Sequence, residues 1–487
     1  MTESVFLGVD CGTQSTKTVV LGADDGRVLA VGRADHDIIE RADGTREQHP
    51  DWWVDALIDS ARSALASAGD VEVAGLGVSG QQHGMVCLDG EHRPVRAAKL
   101  WNDTTTQQEC DLLTSALGGA DAVLRITGNA FLPGYTAPKV KWLMDHEPDS
   151  YKKTRHICLP HDWLNLWLTG TFCTEPGDAS GTAYFDVRSR SYSEEVLGTI
   201  DGARNWDDTL PSVGESISVI GALRASSAER LGLAPGIPVS GGGGDNMCSA
   251  IGVGAVKPGP VVVSLGTSGT GFSHSDTPAV DPRGEAAAFC DSTGGWLPLV
   301  CTLNATVATE WVRRLFGLDR AGVESALERT EPGAGGVIFL PHLGGERTPN
   351  HPSGAGAFAG LRTGHGPGHF VRAVVEGVTF GLAYALRALE RSGITPEEVT
   401  LVGGGAQSEA WGQICADIFE LPVVRPAVEE TAAVGAALQA RAAAGGSDLA
   451  AWNPGGARRW DPDPHPVLKE TARRIGGLRA AALEQGF

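Results

Sequence analysis

Short apolar runs that stop at small or acidic residues alternate with amphipathic stretches along this chain. The runs at 4–9, 18–21 and 27–32 have the length and β-branched content of strands. Between Trp52 and Ala68 the apolar residues Val54, Ile58, Ala61 and Leu65 recur at i, i+4, i+7 and i+11, one face of a helix. Asp51 stands where its N-cap belongs. The run 73–78 predicts a strand whose C-terminal end delivers Gln81, Gln82 and His83, and ligands gather outside such ends in open α/β sheets. The second half repeats the plan, with strands near 260–265 and 336–340 among helix signals. Phe370–Leu389 predicts a strong helix, with Phe370, Val374, Val378, Ala385 and Leu389 as its apolar stripe. Gly377 and Gly381 leave room there for a close neighbour. Helix 409–419, strand 423–424 and helix 431–444 follow, and the Ala/Gly-rich stretch 442–451 reads as a surface loop. The alternation implies an α/β protein, and two similar halves joined near 240–255 imply a cleft between them.

Four turns interrupt this pattern in the same way. Strand 238–240 runs into Gly241, Gly242, Gly243 and Gly244, and Asp245 and Asn246 follow at once. Four glycines pack nothing and cost entropy, so the backbone there must approach something closely. A carboxylate at the mouth of such a turn is a candidate general base. The first strand ends at Asp10, and a turn with Thr13, Gln14, Ser15 and Lys17 leads into the next, a hairpin with an acid and several hydroxyls at its tip. Gly266, Thr267 and Ser268 repeat that grammar after strand 260–265, and Gly403–Gly404–Gly405–Ala406 makes a strand-to-helix turn. Phosphates bind where backbone N–H groups converge in such places. Hard Mg²⁺ takes one or two protein carboxylates, and Asp10, beside the phosphate hairpin, is the candidate metal-side acid.

At 487 residues the chain is long enough for two large domains, and its 42% hydrophobic content supports substantial cores. Thirty-nine basic against 59 acidic residues give a net charge of −20, which disfavours nucleic acid or an anionic membrane as partner. It does not disfavour a nucleotide, whose phosphate sites are built locally. Nine cysteines without a C-x-x-C pair point to reduced, buried thiols in a cytoplasmic protein. The start Met1-Thr2-Glu3-Ser4 lacks the basic region of a signal peptide, and no apolar run approaches a membrane span.

Together these turns resemble those of the FGGY carbohydrate kinases, and the resemblance covers nearly the whole chain. Gly134–His146 is similar to the family's first signature, and Gly356–Leu361 followed by Phe370–Glu376 to its second. Ser79–Gly84 and Leu100–Asp103 most resemble the xylulose kinases, some of which carry Met where this chain has Gln82. A glycerol kinase would carry an Arg-Glu pair in place of Gln82-His83. The resemblance implies two actin-like, ribonuclease-H-like ATPase domains, divided as 1–245 and 246–487, flanking a central cleft. It implies ATP and Mg²⁺ as cofactors, and a small ketopentose, D-xylulose, as the acceptor. Asp245 is then the base and Asp10 the metal ligand. Gln82, His83, Asn246, Trp101, Asn102 and Asp103 contact sugar, and the segment 101–235 caps them. Thr13, Gln14, Ser15, Lys17, Gly266, Thr267 and Ser268 hold phosphate, and Gly404, Gly405 and Ala406 the adenosine. Glu346-Arg347 reads as a structural ion pair. Gln82 and His83 offer no fixed cation, which argues against gluconate. Other sugars or polyols (ribulose, gluconate, a deoxy sugar) and a nucleotide-switched actin-fold binding protein stay as alternatives, and a homodimer stays open.

Overall fold

Two seven-stranded sheets carry the chain, and each is built the same way around its first strand. The computed structural model describes residues 2–446 and 448–486. In the first sheet Glu3–Cys11 pairs antiparallel with Ser15–Gly22, which pairs antiparallel with Val28–Asp35; on its other side it pairs parallel with Val71–Gly80. In the second, Pro260–Leu265 pairs antiparallel with Gly269–Phe272, which pairs antiparallel with Trp296–Thr302; Glu398–Val402 lies parallel on its other side. The duplicated plan expected from the apolar pattern is therefore present in both halves. Among the described residues no helix is long and apolar enough to cross a membrane, and the nine cysteines are free and buried.

The first strand is covered on both faces, as its alternation requires. Val5, Leu7, Val9 and Cys11 pack into a core with Trp53, Val54, Leu57, Ile58 and Ala61 of the helix Pro50–Ala68. Phe6 faces the other way, into a cluster with Val434, Ala437 and Leu438 of the helix Thr431–Ala443. That helix comes from the second half of the sequence, yet it packs on the first sheet. Beside it lies the helix Asp245–Gly252, so a division at 245/246 falls on that helix's first residue.

The two helices run antiparallel with backbone against backbone. A Cβ at Gly435 would overlap the Cys248 carbonyl, and one at Gly252 would overlap the Thr431 carbonyl. The sheet contact is as close: a Cβ at Gly8 would overlap the Ala433 carbonyl, and one at Gly77 that of Ala436.

Several local expectations are corrected. The helix predicted from Trp52 starts at Pro50, which suits a first helical position because its φ is already fixed. His49 takes the N-cap place, without a side-chain bond, and Asp51 lies in the first turn. The helix predicted over 370–389 spans Pro367–Arg391, with Phe370 only half-buried. Gly377 is needed there, since a Cβ would overlap the Phe339 carbonyl, whereas a Cβ at Gly381 would stand an ordinary 3.8 Å from Pro341. The stretch 442–451 is not a plain surface loop. Ala442 and Ala443 end a helix, and Leu449 is buried at the start of a 3₁₀ turn; Ser447 lies outside the described residues.

The glycine seam generates a stability test. Gly435→Ala should force the two helices apart and cost about 1–3 kcal/mol, the usual penalty of overpacking. Urea unfolding should show a lowered midpoint, while Gly381→Ala should leave it nearly unchanged.

Candidate active site

Strand register assembles the centre of the site. Asp10 lies opposite Lys17 on one side and Ser79 on the other, and Ser79 is also the partner of Gly243. Three strand ends therefore bring Asp10, Ser79 and the glycine turn side by side. Ser79 Oγ donates to Asp10 Oδ1 at 3.0 Å.

The closeness predicted for the four glycines is met by the protein itself. Gly242 adopts φ +74°, and a Cβ there would overlap the Val78 carbonyl. A Cβ at Gly241 would stand 2.8 Å from the Ser216 carbonyl oxygen, and one at Gly244 would stand 2.7 Å from Gln82 Cγ. A Cβ at Gly243 would overlap Ser292 Oγ. Two buried amides hold the turn, and sequence reading missed both. Gln439 accepts from Gly242 N (2.7 Å) and donates to Gly242 O (2.8 Å); Asn165 Nδ2 donates to Gly241 O at 2.8 Å. Neither sits in a recognisable motif. The approach exists only once distant segments have met.

Asp245 opens its helix, and its Oδ1 accepts from both N and Nδ2 of Asn246 at 2.8 Å. Asn246 Nδ2 also donates to Gln82 Oε1 at 3.0 Å, and Thr270 Oγ1 reaches Asn246 Oδ1 at 3.4 Å. Gln82, Asp245 and Asn246 thus form one hydrogen-bonded group. Burial pushes the Asp245 carboxyl up to about 7, and the nearby Asp10 charge adds to that rise. Asp10 itself is pushed up to about 6 by burial, against the pull of Ser79 and Lys17.

A cavity of about 930 Å³ opens beside Asp10. Gly12, Thr13, Gln14, Ser15 and Lys17 line it from the first sheet, Trp101, Asn102 and Asp103 from the intervening segment, and Thr267, Ser268 and Arg347 from the second half. A part-buried network braces the hairpin: Trp101 Nε1 donates to Thr13 Oγ1 (2.9 Å), Thr13 Oγ1 to Gln81 Oε1 (3.2 Å), and Gln48 Nε2 to Thr13 O (2.8 Å). Lys17 is engaged by Glu430 at 2.6 Å, an ion pair between the hairpin and the N-cap of the helix Thr431–Ala443. Asp103 is fully buried and its oxygens are taken. Oδ2 accepts from Lys99 Nζ (2.8 Å) and Arg46 N (2.9 Å), and Oδ1 from Thr105 N (3.0 Å) and Oγ1 (2.6 Å). Its geometry is that of a loop anchor. Gln82 Nε2 and Asn102 Oδ1, by contrast, are buried without a hydrogen-bond partner.

A second cavity, of about 310 Å³, adjoins the first and is faced by His83; Gln107, Phe131, Leu132, Arg347 and Asn350 line both. His83 adopts φ +65°, and its ring packs edge-on against Tyr135 at 4.7 Å and tilted against Phe289 at 5.6 Å. Burial holds its pKa well below the usual histidine value, so the ring is neutral. Gln82, Asp245 and Asn246 line neither of these cavities.

On the second sheet the pairing of Ser264 with Val402 sets the loop Gly266–Ser268 beside the turn Gly403–Ala406. Gly404 faces open space, while Gly405 and Ala406 are buried, Gly405 against Leu265. Glu346 does not pair with the Arg347 side chain. Its carboxylate accepts from Leu303 N, Arg347 N and Asn304 Nδ2, which leaves the guanidinium to both cavities. The site therefore contains a fixed cation that Gln82 and His83 alone did not promise.

The models of the FGGY family of carbohydrate kinases match residues 5–252 with the N-terminal domain and 261–444 with the C-terminal domain. The chain belongs to this family. It is an ATP-dependent sugar kinase with two domains of the actin-like, ribonuclease-H-like ATPase fold. A xylulose kinase of Haemophilus influenzae is 40% identical over 452 residues, 91% of this chain and 92% of that protein. The crystal structure of a "xyloylose kinase" from Brucella ovis matches with a TM-score of 0.92 and 33% identity, over 99% of this chain and 100% of that one. A gluconate kinase from Lactobacillus acidophilus matches at TM-score 0.91 with 23% identity, over 99% and 98% of the two chains, a likeness of fold.

Beneath the glycine turn lies a buried group that motif reading did not find. His161 Nδ1 stands 2.6 Å from Asp178 Oδ2, and His161 Nε2 stands 3.3 Å from Asp162 Oδ1. Glu175 accepts from Gly177 N, Asp178 N and Ser216 Oγ. Burial pushes Asp162 and Glu175 up to about 7 from ordinary values of 3.8 and 4.5. Between those limits the folded chain binds more protons at these two carboxyls than the unfolded one, so their contribution to stability falls as pH rises towards about 7 and then levels. Unfolding midpoints measured from pH 5 to 8 should decline in that sense, and Glu175→Gln should flatten the decline. A midpoint that rises over this range, unchanged in the variant, would contradict the assignment.

Proposed function

We propose that this kinase transfers the γ-phosphoryl group of ATP to D-xylulose, forming D-xylulose 5-phosphate and ADP, with Asp245 as general base. The observation that carries the sugar is the 40% identity to a xylulose kinase along nine-tenths of both chains. We assign the carboxylate of Asp245, at the head of its helix and bonded to Asn246, to accept the proton of the attacking hydroxyl as the oxygen–phosphorus bond forms. A base near pKa 7 accepts a proton readily at neutral pH without holding it when the product leaves.

The donors left over at the site fit a polyol. The unpartnered Gln82 Nε2 and Asn102 Oδ1 are a donor and an acceptor whose burial is costly until a hydroxyl meets them. Trp101 braces the hairpin and adds a flat wall to the cavity. Thr13, Gln14 and Ser15 on one sheet, and Gly266, Thr267 and Ser268 on the other, present two loops to the phosphates, and Gly404 exposes backbone to the adenosine. Lys17 already has Glu430, so we assign it to joining hairpin and helix.

Mg²⁺ fits this donor set. Among the described residues no group of three or more His, Cys, Asp or Glu side chains is arranged to hold a metal ion, and Mg²⁺ bound with a nucleotide needs only one or two carboxylates. Asp10, buried at the strand end opposite Lys17 and Ser79, is the residue that would hold it. There the ion would neutralise charge on the phosphates. The free, buried cysteines agree with a cytoplasmic enzyme.

Arg347 favours one second reading, an acidic sugar such as gluconate, because its guanidinium lines both cavities. ADP release measured with D-xylulose, D-ribulose, L-ribulose, glycerol and gluconate decides between them. D-xylulose should show the highest kcat/KM, and preference for another of the five would overturn the named activity. Asp245→Asn, nearly isosteric, should lower kcat by roughly 10²–10⁴-fold while the protein stays folded. Near-normal turnover in that variant would remove Asp245 from the role of base.

A further inference from the structure

Lys139 is fully buried, and its hydrogen bonds go to backbone carbonyls. Its Nζ donates to His83 O at 2.7 Å and to Gly134 O at 2.6 Å. The nearby carboxylates are taken by Lys99, which pairs with Asp103 at 2.8 Å and Glu47 at 3.5 Å. Burying an amine without an acid partner is costly, so its bonds need a reason. Of the two groups it holds, His83 lines the second cavity and Gly134 the first.

His83 is one of them. It sits at φ +65°, a left-handed conformation that a non-glycine residue keeps only when its surroundings enforce it. Its carbonyl is gripped twice, by Lys139 and by Thr136 Oγ1 at 3.2 Å. Thr136 and Lys139 stand three apart at the start of the helix Thr136–His146, so one helical face supplies both donors. With the carbonyl held inward, the ring is set against Tyr135 and Phe289 on the wall of the second cavity. Gly134 is the other. A Cβ there would overlap the Trp101 carbonyl and stand 2.9 Å from Arg347 Nη2.

We infer that Lys139 is a positioning residue: with Thr136 it locks the backbone of His83 and ties it to the Gly134 loop, and so sets the His83 ring for the sugar. This rests on the reading that His83 contacts the sugar. Burial lowers the pKa of Lys139 well below the ordinary lysine value, and a neutral amine still has the two N–H donors that the two carbonyls require.

Initial rates with D-xylulose and ATP test the inference in Lys139→Met, Thr136→Val, His83→Ala and the double variant Lys139→Met/His83→Ala. Misplacing a substrate contact by about 1 Å costs up to about 100-fold, so Lys139→Met should raise KM for D-xylulose roughly 10–100-fold with KM for ATP unchanged. Thr136→Val removes one hydroxyl at constant volume. It should fold even where Lys139→Met does not, and should raise the sugar KM several-fold. In the His83→Ala background Lys139→Met should add little, because the ring it positions is gone. Unchanged sugar KM in both single variants, equal rises for sugar and ATP, or effects that simply multiply with His83→Ala would overturn the inference. A His83→Ala variant with normal sugar KM would instead overturn the placement of His83 in the sugar site, and the inference with it.

Discussion

Backbone packed directly on backbone is the constraint on which the rest of this structure depends. At Gly8, Gly77, Gly252 and Gly435 there is no space for even one methyl group, so the first sheet and the two central helices meet at the shortest distance chains can reach. That distance carries into chemistry. The strand holding Gly8 ends at Asp10, the strand holding Gly77 continues to Ser79, and the helix holding Gly252 begins at Asp245. Burial among these three elements raises the pKa of both acids, and the Asp10 charge adds to the rise at Asp245.

The glycine turn adds a second layer of the same physics. Its four residues are hemmed in by Ser216, Val78, Ser292 and Gln82, and Gln439 and Asn165 bond its peptide groups. A carboxylate at the end of such a turn has little freedom, which is what the proposed role of general base asks for. Gln439 lies on the helix Thr431–Ala443, which also receives the Lys17 hairpin through Glu430. One helix from the second half of the chain therefore braces both ends of the centre in the first.

Electrostatics divides the site by its surroundings. Asp10 and Asp245 are desolvated carboxylates beside each other, suited to a cation and a proton. His83 is kept neutral between aromatic rings, suited to hydroxyls. Arg347 does not form the expected ion pair with Glu346, and its guanidinium lines both cavities instead.

Much of this was legible in the order of residues. Strands, helices and the duplicated plan follow from apolar periodicity, which is a local property, and Asp10, the hydroxylated hairpins and the Gly241–Asp245 turn follow from side chains adjacent in sequence. What the sequence could not yield depends on segments far apart in it. The N-cap of the first helix moved because Pro50 prefers the first turn, and Asp103 became a loop anchor once Lys99, Arg46 and Thr105 surrounded it. Lys17 found Glu430, 413 residues away, and Gln439 found Gly242. Sequence alone determined which residue types stand at the strand ends, and with them the class of chemistry. Tertiary structure alone decided which of those side chains are free for a substrate and which are already bonded, because a hydrogen bond between distant segments exists only when packing brings them within about 3 Å.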